Sequence, residues 1–317
     1  MKTVLKPERL CPGDTVGLIA PASAPPDPKS VDRAAAALEK LGYKPKLGKN
    51  IRARHGFIAG TDRERAADVM AMFTDKRVKA IFCLRGGYGC TRIMDRLDLE
   101  VIRRNPKIFS GYSDITAFHN IFASQLNLVS FHAPMWNGAL ADPKVPAFTK
   151  NSFFKTVTEP EPAGNICDGY DKKSVSILRP GIAEGRLVGG NLSLICSTLG
   201  TPFAPSFKNK ILFFEDISER PYRLDRLLTH LWTAGVLSQV AGVAVGVNAD
   251  CDEKKSGKEY QQNGADVVKE RLEKLRVPVV TGLPFGHVDL NATIPVHALA
   301  RLDAKRGDLI ILESAVK

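Results

Sequence analysis

Lys107-Ile108-Phe109-Ser110-Gly111-Tyr112-Ser113-Asp114-Ile115-Thr116 is the stretch on which the fold turns. Ile108 and Phe109 open a buried apolar strand that stops at a glycine, and a helical pattern runs from Asp114 to Phe122. A small residue two places before a serine, between strand and helix, makes a tight turn that lifts the hydroxyl into the open. Outward from this unit the same alternation continues. Toward the N-terminus lie Thr15 to Ala20, closed by Pro21, and Ala80 to Leu84, followed by Arg85-Gly86-Gly87-Tyr88-Gly89. Between them the pattern predicts a helix over Ser30–Leu41, with Ser30 as N-cap and Gly42 just past its end. A second helix is predicted over Thr61–Phe73, opened by the capping-box pair Thr61 and Glu64. Repeated strand-helix units of this kind build a mainly parallel sheet, so the fold class is α/β.

Toward the C-terminus, residues 151–180 change character. Glu159-Pro160-Glu161-Pro162 and several glycines break the periodicity, which predicts a connection with at most a short strand. The chain therefore divides into an N-terminal unit over 1–155, a linker over 156–180 and a C-terminal unit over 181–317. Order resumes at Gly185–Asn191, with a helix from Leu192 to Leu199 and a strong strand over Lys210–Phe214 that ends at Glu215. Leu224, Leu227, Leu228 and Leu231 repeat at helical spacing within Tyr222–Thr233. Val240–Val247 reads as a buried strand, Asp250–Gly264 as a polar loop and Asp266–Leu275 as a helix. Pro278–Thr281 is a short strand that leads into Gly282-Leu283-Pro284-Phe285-Gly286-His287.

Composition narrows the functional classes. The 317 residues are 44% hydrophobic and 25% charged, which is ordinary for a globular protein able to bury its own core. Lys and Arg outnumber Asp and Glu by 45 to 34, a net charge of +11, yet the basic residues are scattered among acids. That pattern fits a solvated surface and anionic small substrates, and it argues against nucleic acid as a partner. The six cysteines form no CxxC pair and no Cys/His cluster with zinc spacing, so no metal site is expected. Cys83, Cys90 and Cys196 sit in apolar runs, which suits a reducing, cytoplasmic setting. No apolar stretch is long enough to span a bilayer, and Met1–Glu8 has no signal-peptide pattern, so no membrane partner is expected.

Three polar residues stand where apolar strands stop, which is where α/β sheets bind ligands. Ser113 has the place of a nucleophile at a helix N-terminus, where backbone N–H groups favour an oxyanion. It matches G-x-S-x-G only in part, because Ile115 replaces the second glycine, and an N-cap serine would look the same. Glu215 abuts four large apolar residues, where a carboxylate needs a partner. That partner is either an arginine among Arg220, Arg223 and Arg226, or a histidine that Glu215 orients. His287, in a Gly/Pro loop after a strand, is either a polar surface residue or a general base. Arg85-Gly86-Gly87-Tyr88-Gly89 is neither a dinucleotide fingerprint nor a Walker A loop. Its glycines suit an anion cradle or one donor of an oxyanion hole, with the Asp114 N–H as the other.

Together these segments resemble the LD-carboxypeptidase family of serine peptidases. The similarity runs in order through Pro12–Ser23, Arg85–Gly89, Gly111–Thr116, Gly189–Ser193, Leu199–Pro202, Phe214–Ile217 with Pro221-Tyr222, and Gly282–His287. The resemblance implies a Rossmann-like or flavodoxin-like N-terminal domain, a smaller C-terminal α/β domain, an active site in the cleft between them, and a homodimer. It implies a triad of Ser113 as nucleophile, Glu215 as orienting acid and His287 as base, with no cofactor. The oxyanion would meet the backbone N–H groups of Asp114 and of Gly86 or Gly87, while Arg85, Tyr88 and Asn191 are weaker candidates for substrate contact. The implied substrate is a cytoplasmic murein tetrapeptide, cut between the L-centre of a diamino acid and a terminal D-alanine during peptidoglycan recycling. The segment Phe131–Met135 departs from the family in having Ala133 for glycine, which is expected to adjust the cleft wall. Two other readings stand beside this one. Some members of the family are self-immunity peptidases that cleave peptide-nucleotide antibiotics and stack an aromatic residue on the base; here the polar loop offers only Tyr260. The other is a non-catalytic binder of anionic ligands.

Overall fold

The computed structural model describes residues 3–252 and 262–317, so Tyr260 lies outside the described residues. In chain order the strands are β1 Thr15–Ile19, β2 Lys44–Leu47, β3 Val78–Cys83, β4 Ile108–Gly111, β5 Ser130–His132, β6 Pro162–Asn165 and β7 Ser176–Arg179. They continue as β8 Ile182–Asn191, β9 Ile211–Glu215, β10 Gly242–Val245, β11 Val279–Thr281, β12 Ile294–Val296, β13 Leu299–Asp303 and β14 Asp308–Ser314. The helices are α1 Pro28–Lys40, α2 Asp62–Thr74, α3 Leu99–Arg104, α4 Thr116–Ile121, α5 Ala147–Thr158, α6 Leu192–Thr198, α7 Pro221–Thr233 and α8 Gly264–Leu272.

Two sheets carry these elements. The first has the order β12-β5-β4-β3-β1-β2. From β2 to β5 it is wholly parallel, and only β12 runs against its neighbour. The sequence 2-1-3-4-5 is the flavodoxin-like order, whose switch point lies between β1 and β3. The second sheet has the order β6-β14-β13-β8-β9-β10-β11-β7. Its centre, β8 to β11, is parallel, and antiparallel strands flank it on both sides. The second sheet has eight strands to the first sheet's six, and its outer two, β6 and β7, come from the segment 156–180.

Local chemistry explains the elements. Thr61 Oγ1 accepts from Glu64 N–H while the Glu64 carboxylate accepts from Thr61 N–H, so α2 opens on a complete capping box. The cap of α1 is Asp27 rather than Ser30: its carboxylate accepts from Ser30 N–H at 2.9 Å. An ionised acceptor at a helix N-terminus outcompetes a hydroxyl three residues further in. The segment read as a linker over 156–180 holds the end of α5 and both outer strands of the second sheet, β6 and β7. Their short, polar sequences are those of edge strands, which have only one neighbour to satisfy.

Apolar side chains fill both faces of each sheet. Phe82 and Trp136 meet on one face of the first sheet, at 5.2 Å between ring centroids, and Phe73, Phe109, Phe118 and Phe122 pack on the other. The leucines of α7 bury themselves with α6 and α8 against β9 and β10. The opposite face of the second sheet packs on β12 and the Leu283–Phe285 loop. Glycines let β8 lie close on its neighbours. A Cβ on Gly190 would stand 2.4 Å from Thr116 Oγ1, and one on Gly189 would stand 1.8 Å from the Phe213 carbonyl oxygen. That approach lays the end of β8 on α4, the helix that follows Ser113.

Candidate active site

The site forms where four strands end. Ser113 follows β4, Gly86 follows β3, Glu215 closes β9, and His287 lies in the loop after β11. Ser113 has φ +58, in the left-handed region that non-glycine residues rarely adopt. A strained turn at such a position is an outlier of the kind that clusters at functional sites. It matches the elbow read from Gly111 and Ser113, and it sets Ser113 apart from an ordinary N-cap: no side-chain cap bond opens the turn. A Cβ on Gly86 would lie 3.0 Å from Ser113 Cβ and 3.2 Å from its Oγ, so the glycine backbone lies directly against the serine side chain. The Asp114 carboxylate turns away and accepts from the Cys90 N–H at 2.8 Å, and burial raises its pKa.

Glu215 is fully buried, and its partner is the histidine: His287 Nδ1 and Glu215 Oε2 are 2.6 Å apart. The competing arginine reading fails: among the described residues Glu215 makes no ion pair with Arg220, Arg223 or Arg226, Arg223 pairs with Glu219 and Arg226 lies over the Tyr222 ring. Burial pushes the Glu215 carboxyl above its usual range, and the hydrogen bond from His287 opposes that. A carboxylate at Nδ1 fixes the tautomer with its lone pair on Nε2. Tyr112 joins this pair to the elbow. Its ring centroid is 4.5 Å from that of His287, and burial, with Glu215 nearby, pushes its phenol up to about 12. No hydrogen bond joins Ser113 Oγ to His287 among the described residues. In ligand-free sites such contacts are commonly long and tighten on binding.

Behind the pair lies a polar layer that sequence reasoning assigned differently or missed. Asn191, expected at substrate, is buried and spent: its Nδ2 donates to Asp216 Oδ1 at 2.9 Å and to Glu215 Oε1 at 3.5 Å, and its Oδ1 caps α6 at Leu194 N–H. Its own N–H donates to Thr116 Oγ1 at 2.9 Å, which ties β8 to α4. His119 Nε2 bonds the Gly111 carbonyl oxygen at 2.8 Å, supporting the elbow from below; as the carbonyl can only accept, that nitrogen carries the proton. His132, on β5, is fully buried among Tyr112, Phe213 and Phe285, with neither ring nitrogen hydrogen-bonded, and burial holds it well below the ordinary histidine pKa. Ala133 is fully buried in the core and does not form part of a cleft wall. Asn291, Thr149 and Lys144 carried no signal in the sequence, since single polar residues in loops resemble any other surface.

Beside His287 opens a cavity of about 540 Å³, lined among others by Tyr112, Asp142, Lys144, Ile217 and Asn291. Arg85 and Tyr88 are not part of its lining. The Arg85 guanidinium donates to the Ala24 carbonyl at 2.9 Å, and exposed Tyr88 packs on Phe57 at 5.7 Å between centroids. Both flank the site outside this cavity, on the Gly86–Gly87 side. Among the described residues no group of three or more His, Cys, Asp or Glu side chains is arranged to hold a metal ion.

The chain matches two family models in succession, the LD-carboxypeptidase N-terminal domain over residues 16–133 and the LD-carboxypeptidase C-terminal domain over 184–302. It is 41% identical to a probable murein peptide carboxypeptidase of Bacillus subtilis, over 96% of this chain and 94% of the relative. It is 30% identical to the murein tetrapeptide carboxypeptidase of Pseudomonas aeruginosa, over 92% of this chain and 94% of that one. The crystal structure of muramoyltetrapeptide carboxypeptidase from Oxalobacter formigenes superposes with a TM-score of 0.81 at 32% identity, covering 94% of this chain and 99% of that one. Two family models in succession, and relatives and a solved structure that match along nearly the whole chain, show that the protein belongs to the LD-carboxypeptidase family.

Proposed function

We propose that this protein is a serine carboxypeptidase that removes the terminal D-alanine from murein tetrapeptides, at the bond to the L-centre of the diamino acid. The observation that carries the reading is the 2.6 Å His287–Glu215 bond beside a serine strained to φ +58. A buried acid, an oriented imidazole and a lifted hydroxyl are the parts of acyl transfer. His287 Nε2 takes the Ser113 proton as Oγ attacks the scissile carbonyl, and Glu215 stabilises the imidazolium. The oxyanion sits against the backbone N–H groups of Asp114 and of Gly86 or Gly87, supported by the close approach of Gly86 to Ser113. The imidazolium then protonates the departing D-alanine nitrogen. Water, deprotonated by the same histidine, releases the tetrapeptide's remainder as a tripeptide acid and restores Ser113.

The murein relatives support the substrate, and the net positive charge suits a peptide with several carboxylates. Six unpaired cysteines, five of them buried, support a reducing cytoplasmic setting, and no described helix is long and apolar enough to cross a membrane. A homodimer belongs to the same proposal and is read by sedimentation. The deciding experiment incubates the protein with three peptides: a tetrapeptide ending L-diamino acid–D-Ala, the same ending in L-Ala, and the pentapeptide ending D-Ala-D-Ala. Alanine is expected from the first alone. Ser113→Ala should fold normally and lose at least about a thousandfold in kcat/KM, as the loss of a triad member does. Equal hydrolysis of all three peptides removes the substrate assignment, and an active Ser113→Ala removes the mechanism.

A further inference from the structure

The loop that carries His287 has an internal lock. Asn291 is buried, and its side-chain amide pairs with both polar groups of one peptide residue, Gly286: Asn291 Nδ2 donates to the Gly286 carbonyl at 2.6 Å, and Gly286 N–H donates to Asn291 Oδ1 at 3.4 Å. Gly286 is the residue immediately before His287, and it has φ +120, where only glycine is at ease. A Cβ there would lie 3.0 Å from Glu215 Cβ and 2.9 Å from the Val247 carbonyl oxygen. The loop thus passes over Glu215 at the closest approach a backbone allows, in a conformation that local preference does not hold.

Asn291 is itself fixed from another element. Its N–H donates to Thr149 Oγ1 at 2.9 Å, and that hydroxyl donates on to the Asp289 carbonyl at 2.5 Å. Thr149 lies on α5, which precedes the second sheet in the chain. Two residues further, Thr293 N–H donates to Ser152 Oγ at 3.0 Å, also on α5. Helix α5 therefore grips the loop at Asp289, Asn291 and Thr293, and Asn291 passes that grip to the Gly286 peptide.

The geometry points to Asn291 as a positioning residue for the reaction, one that holds the Gly286 peptide so that His287 Nδ1 meets Glu215 and Nε2 faces Ser113. This rests on His287 being the base. Asn291 acts through His287 and touches no reacting atom, so its loss should lower kcat and leave KM nearly unchanged. Misplacing a catalytic group by about 1 Å can cost on the order of a hundredfold in rate.

The test uses the full-length protein and two variants, Asn291→Ala and the near-isosteric Thr149→Val, which removes only the outer anchor. The first readout is the far-downfield proton resonance of a histidine Nδ1–H bonded to a carboxylate, recorded without substrate, with Glu215→Gln as the reference that abolishes it. The second is kcat and KM on the tetrapeptide. In Asn291→Ala, expected to remain folded by circular dichroism, the resonance should move upfield or broaden away and kcat should fall by about a hundredfold, with KM changed less than threefold. Thr149→Val should show the same pattern at roughly a tenth of that loss in kcat, and it carries the test should Asn291→Ala not fold. An unchanged resonance and unchanged kcat in the folded variants overturn the proposal. Failure of the wild-type protein to release D-alanine removes the functional reading instead, and the resonance still decides the role of Asn291.

Discussion

At the scale of single residues, the buried Glu215 is the group most dependent on a partner. Its carboxyl is fully buried at the end of β9, with His287 at 2.6 Å and the weaker Asn191 contact at 3.5 Å. Removing the imidazole leaves the buried carboxylate without its main hydrogen bond, a loss of about 3 kcal/mol. His287→Ala should therefore destabilise the fold as well as stop turnover, unlike Ser113→Ala. The sign of its pH dependence follows from Glu215. Without the imidazole the folded carboxyl titrates still higher, so the penalty is present above that raised value and fades as pH falls toward the unfolded carboxyl's value near 4.3. Urea denaturation should find His287→Ala closer to wild type at pH 5 than at pH 8. Adding Glu215→Gln should restore much of the loss at pH 8, and a deficit independent of pH would show that the charge is not its cause.

At the scale of elements, the site depends on how closely β8 can lie on its neighbours. Gly190 faces Thr116 on α4 at a distance where a Cβ would stand 2.4 Å from Oγ1, and its φ of +131 excludes other residues as well. Gly190→Ala should cost about 3 kcal/mol or more, from overpacking added to backbone strain. It should also lower activity in whatever fraction folds, because α4 follows Ser113 directly; a thermal midpoint equal to wild type would contradict this. Much of this arrangement was legible in the sequence. Strongly apolar runs such as Ala80–Cys83 and Ile211–Phe214 announce buried parallel strands, and the Thr61 box announces its helix. Besides Leu299–Asp303 and Asp308–Ser314, interior strands of the second sheet that also escaped notice, three missed strands carry a weak local signal: Lys44–Leu47 is half charged, Ser130–His132 spans three residues, and Pro162–Asn165 begins with proline. Each is held by a neighbour rather than by its own pattern. The same holds within the site. Ser113, Glu215 and His287 stand at strand ends and could be read there, whereas Asn191, His119 and Asn291 act through side-chain bonds to residues distant in the fold, which no local pattern records.

At the scale of the whole molecule, buried histidines set the response to acid. Burial holds His119 and His297 down at about 4, and holds His132 well below the ordinary histidine value. The unfolded chain takes up these protons near pH 6.5. Because the folded values are the lower ones, the stability is complete above about 6.5 and is lost as pH falls toward about 4, by up to about 1.4 kcal/mol per pH unit for each histidine. The buried carboxyls Asp68, Asp114 and Glu215, whose values are raised, act in the opposite direction lower in the same range. The urea midpoint should therefore fall most steeply between about pH 6.5 and 5 and flatten below that. A midpoint constant from pH 7.5 to 5 would mean that these rings are protonated in the folded state.

Strand β12 pairs with β5 in the first sheet, and β13 pairs with β8 in the second. Only His297 and Ala298 separate them, and His297 is pinned at both ends, by its N–H to the Leu187 carbonyl at 2.8 Å and by its ring to Asn127 at 3.0 Å. Two residues can stretch by no more than about 7 Å end to end, and these two are already held. The halves of the molecule thus share a rivet: swinging them apart at this point would peel β12 from its sheet. The mouth above Ser113 is therefore expected to keep its width on binding, and small-angle scattering should give one and the same radius of gyration with and without a bound tripeptide product.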